Sequence, residues 1–192
     1  MIDDIDISSS TLRLLASQEL KRWDNKAVFR LLSDKDPAVR TLAGRELQVR
    51  GGKEIFDYVR ALSDSNVVDE REICAFVLGQ FGTPNYPFKE ASLPLLLGLV
   101  VDDSPEVRAA AAAGLGHLCY SDMPPDVEEA LFLAASDNSE LVRSCVAVSL
   151  GNARRKNEAL AILNGLLKDD DAEVRGYAQT GVEILTGSEP SI

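Results

Sequence analysis

The chain is poor in aromatics, histidine and cysteine, and each shortage closes off a class of reading. Aromatic residues make up 6% of its 192 residues, so a core has to be built from Leu, Val, Ile and Ala, side chains that suit closely packed helices. Three cysteines, Cys74, Cys119 and Cys145, stand far apart with no CxxC among them; they supply neither a disulfide framework nor a zinc motif and read as small packed side chains. The single histidine, His117, excludes any site that needs two imidazoles. Phosphate-loop, HExxH, GxSxG and dinucleotide GxGxxG signatures are missing. The acidic turns VDDSPE and KDDDAE lack the glycine and terminal glutamate of an EF-hand loop. No catalytic, cofactor-binding or metal-ligating residue is nominated, and a non-enzymatic protein is expected.

Positive charge is scarce as well. Lys and Arg number 20 against 31 Asp and Glu, a formal net charge of −11, which opposes attraction to a phosphate backbone or an anionic leaflet. Neither nucleic acid nor membrane is an expected partner. The imbalance is C-terminal: residues 1–71 hold 12 Lys/Arg against 13 Asp/Glu, residues 72–192 hold 8 against 18. A basic protein partner is the simplest complement. No apolar run reaches the roughly 18 residues of a membrane span, and MIDDIDISSS lacks a signal pattern, so a cytoplasmic protein is expected.

What the sequence does contain is one unit written five times: DKDPAVRTLAGREL, SNVVDEREICAFVL, DDSPEVRAAAAAGL, DNSELVRSCVAVSL and DDDAEVRGYAQTGV. Their anchor arginines, Arg40, Arg71, Arg108, Arg143 and Arg175, are separated by 31, 37, 35 and 32 residues, the period of stacked two-helix repeats. Six residues before the anchor stand Asp34, Asp102, Asp137 and Asp169, with Ser65 in the second unit. Counting the arginine as zero, positions −1, +3, +6, +7 and +10 share one helix face at about 100° per residue. That face is apolar, as Val107, Ala111, Gly114, Leu115 and Leu118 illustrate. Small residues at +3 and +6 invite close approach of a neighbouring helix. A shorter apolar helix precedes each anchor helix, and such a pair buries both faces only by stacking. Pro37 and Pro105 fall where a first-turn proline costs no hydrogen bond.

These observations predict an all-α chain: a right-handed α-α superhelix of about five helical-hairpin repeats behind an N-terminal capping helix. The cap is placed at 8–23 and the repeats at 24–51, 52–82, 87–120, 124–154 and 156–187, one monomeric domain. In the first unit +6 and +10 are Glu46 and Arg50, expected to face water as an i,i+4 pair. GTPNYPFKEA reads as a loop insertion and TGSEPSI as a frayed tail.

An Asp-Pro turn followed by Val-Arg, small residues and Leu-Gly resembles the short HEAT-like repeats of bacteria, the variety also found in phycobilisome lyases, over roughly residues 24–187. The resemblance implies a ladder of ion pairs between the anchor arginines and turn aspartates of successive repeats. Within it, VFRLLSDKD, LQVRGG and ICAFVLGQFG look like the opening repeats of YibA-type HEAT proteins, encoded beside Rhs toxin elements. That likeness implies an immunity role, binding and silencing a polymorphic toxin. A bilin lyase or a DNA base glycosylase on the same scaffold, or a generic adaptor, are the alternatives.

Such arrays line their concave side with the anchor helix, so its stripe at +1, +5, +8 and +12 supplies the candidate protein-binding residues. Arg45 and Gln48 belong to the first unit, Phe76 to the second, with Gln80 beside it. Ala113 and Tyr120 follow in the third with His117 at the edge, then Val148 and Arg155 in the fourth with Asn152. An aromatic-centred patch with a polar rim is how an interface hot spot is built.

Overall fold

The computed structural model describes residues 9–187, with side chains from residue 11 onward. The expectations for the first eight residues, including the start of the cap, and for the tail beyond residue 187 lie outside the described residues.

Helix α1 (Ser9–Leu20) precedes five hairpins: α2 (Asn25–Leu31) with α3 (Pro37–Arg50), α4 (Lys53–Ala61) with α5 (Val68–Leu78), α6 (Lys89–Leu99) with α7 (Pro105–Leu118), α8 (Pro125–Ala134) with α9 (Glu140–Ser149), and α10 (Lys156–Leu166) with α11 (Ala172–Thr186). No strand occurs among the described residues. The anchor helices α3, α5, α7, α9 and α11 pack directly on one another in one layer, whereas the preceding helices meet chiefly their own hairpin partners. Tighter spacing in one layer than in the other bends the stack toward the tight side. The result is an α-α superhelix with the anchor helices on its inner face.

Backbone shape explains why the inner layer closes so far. Position +6 of each later anchor helix sits on +8 of the one before, and in the last three interfaces the chain places glycine or serine there. A Cβ on Gly79 would lie 2.5 Å from the Cα of Gly114, and one on Gly181 would lie 2.3 Å from the carbonyl oxygen of Ala147. Only hydrogen fits at either position.

Three of the four turn aspartates, Asp102, Asp137 and Asp169, have two partners each, a backbone N–H and an arginine. Asp34, Asp102, Asp137 and Asp169 accept the backbone N–H two residues on, at 2.8, 2.9, 2.9 and 2.9 Å, closing the turn ahead of the anchor helix. The anchor arginines reach back in the same way, each donating from one terminal nitrogen to the carbonyl six residues before it, at 2.7 to 3.0 Å. That fixes the guanidinium, whose other edge then takes both carboxylate oxygens of the next repeat's aspartate. Arg71 holds Asp102 at 2.7 and 2.9 Å, Arg108 holds Asp137 at 2.7 and 2.8 Å, and Arg143 holds Asp169 at 2.7 and 2.9 Å.

Both ends of the row differ for a visible reason. Ser65 brings no carboxylate to the second turn, so Arg40 pairs instead with Asp69 at 3.1 Å and, more loosely, Glu72 at 3.8 Å. Asp34 has no earlier anchor, and Arg175 has no later turn among the described residues.

Three features depart from the sequence reading. Glu46 and Arg50 do not face water: they pair at 2.8 Å with side chains only 10% and 18% exposed, because α1 lies over them and Arg50 donates to the Leu20 carbonyl at its end. GTPNYPFKEA is more than an insertion, since Phe88 stacks on Phe56 at 4.7 Å and Phe81 tilts against Phe88 at 5.5 Å. The third feature is Glu128, on the short helix α8 yet 2% exposed. Its carboxylate accepts the backbone N–H groups of Arg154 and Arg155, serving donors at the start of α10 that have no intrahelical acceptor. Glu128→Ala is expected to cost about 1–2 kcal/mol by removing the acceptor of those part-buried donors, and Glu128→Gln clearly less. Equal denaturation midpoints for the two variants would refute this.

Candidate protein-binding groove

A groove of about 460 Å³ opens across α7, α9 and α11. Its floor is α9, from Leu141 through Ser144 and Cys145 to Val148. One wall is the end of α7, where His117 and Tyr120 stand beside Ala113; the other is α11, through Glu173, Tyr177 and Ile184. Tyr120 is 62% exposed, and Leu141, Tyr177 and Ile184 are each close to half exposed, so apolar surface faces water side by side here. Exposed apolar side chains grouped in a concavity, rather than scattered singly, mark an interaction site. Glu173 is the only carboxylate in the lining, and no Lys or Arg joins it.

Of the ten concave candidates, the groove brings together Ala113, His117, Tyr120, Val148 and Asn152. Phe76 is half-buried one repeat nearer the N-terminus, in a small cavity of about 90 Å³ beside Arg40 and Glu72, with its ring against Gly44. Arg45 is exposed and edges a separate depression between α1 and α3 with Arg13 and Leu42. Gln80 sits half-buried in the turn after α5, away from the groove.

Gln48 and Arg155 are corrected by the structure. Gln48 is 4% exposed and donates to the Phe76 carbonyl at 2.6 Å, because +8 is where the next anchor helix lands. Arg155 faces away from the groove, over the Phe132 ring at 4.8 Å and paired with Glu129 and Glu158. Helix α9 ends at Ser149, and a tight 3-10 turn over Leu150–Asn152 redirects the chain, so helical register no longer holds at +12.

Leu141, Cys145, Glu173, Tyr177 and Ile184 escaped the sequence reading. They occupy −2, +2 and +9, a stripe rotated from the expected one by the space that +8 gives up to packing. Glycine at +8 in three consecutive units, Gly79, Gly116 and Gly151, was the available sign of that contact.

Burial pushes the Cys74 thiol up to about 12 and the Cys119 thiol up to about 11. It raises Cys145 too, although Cys145 is only partly covered and lines the groove. Such thiols stay protonated near neutral pH. Among the described residues no cluster of His, Cys, Asp or Glu is arranged to hold a metal ion, and no helix is long and apolar enough to cross a membrane.

Residues 92–182 match the family of HEAT repeats. The chain is 29% identical to Protein YibA of Escherichia coli strain K12 over 170 residues, 86% of this chain and 60% of that protein; it thus spans less than two thirds of the length of the curated relative. The crystal structure of E. coli YibA superposes with a TM-score of 0.82 at 25% identity, over 93% of this chain and 64% of that one. The complex of CpcE and CpcF of phycocyanin lyase from Nostoc sp. PCC7120 gives a TM-score of 0.65 at 20% identity, over 82% and 96%. A designed armadillo repeat protein in complex with the peptide (KR)4 gives 0.59 at 19% identity, over 92% of each chain. Fold, repeat match and relatives agree: the chain is an all-α superhelix of the HEAT/armadillo kind, with residues 92–182 matching HEAT repeats and most of its length similar to YibA.

Proposed function

We propose that the chain is a protein-binding HEAT-repeat module of the immunity type, which holds a cognate polymorphic toxin of the Rhs kind in the groove of α7, α9 and α11. The observation that carries this reading is the groove itself. Two tyrosines, a leucine and an isoleucine stand partly in water around a floor of small side chains, and they are gathered in one concavity. Surface of that kind gains free energy only when something covers it. The immunity role is what the resemblance of VFRLLSDKD, LQVRGG and ICAFVLGQFG to YibA-type proteins implies, and the phycocyanin lyase pair and the peptide-bound armadillo design support polypeptide capture by the same architecture.

The test is co-expression with the toxin domain encoded beside this chain's gene, together with calorimetry on the purified pair. Native protein is expected to rescue growth. Val148→Asp with Tyr177→Ala removes one floor contact and one aromatic anchor and is expected to weaken binding about 100-fold, the range of two interface hot spots. Rescue that survives both substitutions would place the toxin elsewhere, and absence of any toxin binding would end the immunity reading.

A further inference from the structure

The groove has one edge that differs in chemistry from the rest. Position −2 of each anchor helix is exposed on the inner face, and from the second repeat onward it carries Asp69, Glu106, Leu141 and Glu173. Leu141 and Glu173 line the groove. Asp69 and Glu106 lie close enough to Glu72 to oppose its ionisation; burial is the first cause of its raised pKa, and only Arg40 works the other way. Arg40 is already committed to Asp69 and Glu72. Glu106 accepts the Ser104 hydroxyl, the first cause of its lowered pKa, and lies within reach of the Arg108 charge, which acts in the same direction; Glu173 lines the groove with no Lys or Arg beside it in the lining. The edge is therefore acidic; it borders the apolar floor at Leu141 and Glu173 and continues beyond the groove to Glu106 and to Asp69, whose charge Arg40 already meets.

Spacing adds a second constraint. Neighbouring packed helices lie about 8–10 Å apart, so residues at −2 of successive repeats recur at about that interval. A helix laid across the stack presents one face at i and i+7, about 10 Å apart at 1.5 Å per residue. A cation on that helix at each of three such positions would meet Asp69, Glu106 and Glu173, with an apolar residue in the register of Leu141.

On the reading of the groove given above, we infer that its occupant is an amphipathic helix of the partner protein, with an apolar stripe on the α9 floor and a lysine or arginine edge along the carboxylates at −2. An acidic helix would bring like charges together along the same edge, so the row selects by repulsion as well as by attraction.

The experiment uses the full chain and three synthetic helical peptides of 24 residues. One has lysine at positions 1, 8 and 22 with leucine at 15 and a leucine stripe beside them; the second has glutamate in place of lysine; the third keeps the first composition in scrambled register. Binding is read by fluorescence anisotropy at low and high salt, and by protection of Cys145, the only cysteine lining the groove, from a maleimide. The lysine peptide is expected to bind at least tenfold tighter than either other, to weaken with salt and to protect Cys145. Glu106→Gln with Glu173→Gln is expected to lose about tenfold in its affinity and most of the salt dependence, with an unchanged circular dichroism spectrum because both residues are exposed. Equal binding of the lysine and glutamate peptides, or an unaffected Glu106→Gln/Glu173→Gln variant, would overturn the charge inference while a loss on Val148→Asp leaves the groove standing. If no peptide binds or protects Cys145, the inference and the groove reading fall together.

Discussion

Gly181→Ala is expected to destabilise the protein by about 3 kcal/mol, the upper range for overpacking a filled interior, although it adds one methyl group. The new Cβ would lie 2.3 Å from the Ala147 carbonyl oxygen and 2.9 Å from a Leu163 methyl carbon. A side chain could rotate away, but a carbonyl inside α9 cannot move without loosening its own helix. The strain therefore has to be relieved by separating α11 from α9. Because a solenoid's stability is close to a sum of unit and interface terms, the last hairpin should then melt ahead of the rest, with a shallower first transition in urea. Gly176→Ala, in the same helix with nothing within 4 Å of the added carbon, is expected to stabilise by about 0.5–1 kcal/mol through helix propensity. A Gly181→Ala protein as stable as the parent would contradict the close approach of α9 and α11.

The same contact explains what could and could not be read from the chain. Anchor arginines recur in all five units, turn aspartates in four, and the apolar face at −1, +3, +6, +7 and +10 most fully in the last three, and a repeated pattern announces both helix and stacking. Local chemistry is legible because it is near in sequence: Asp36 accepts the Ala38 N–H beside Pro37 at the start of α3, as an N-cap aspartate should. The open face is harder, because it is whatever packing leaves over. A stripe drawn at +1, +5, +8 and +12 assumes that the solvent face lies opposite the core. Here two further sectors are taken, one by the helix before and one by the helix after. Gln48 and Gly116 fall in those sectors, and Tyr177 and Ile184 fall outside them. Glu128 had no local signal at all, since its partners, the N–H groups of Arg154 and Arg155, are 26 and 27 residues away.

Acid should dissolve the ladder in a predictable window. The arginine fork, with help from a backbone N–H, holds Asp102, Asp137 and Asp169 below the usual carboxylate range. A carboxylate whose pKa is lower in the folded than in the unfolded chain binds its proton more readily once unfolded, so its stabilisation is complete above the unfolded value of about 3.9 and fades as pH falls through the folded one. Stability should therefore be flat near neutrality with respect to these groups and fall steeply below about pH 4. Asp137→Ala removes the middle of the three rungs. Both partners are partly covered, with Asp137 13% and Arg108 18% exposed, so its cost should lie between that of a surface pair and a buried one, about 2 kcal/mol at pH 7. Arg108→Lys is expected to recover little over Arg108→Ala, because an ammonium cannot span two carboxylate oxygens while also holding the Asp102 carbonyl. Urea midpoints of Asp137→Ala and the parent, measured from pH 7 down to pH 2.5, should converge as the acid limit is approached. Curves that stay parallel over that range would mean that Asp137 stabilises the stack through the Ser139 turn it closes, and not through the charge it offers to Arg108.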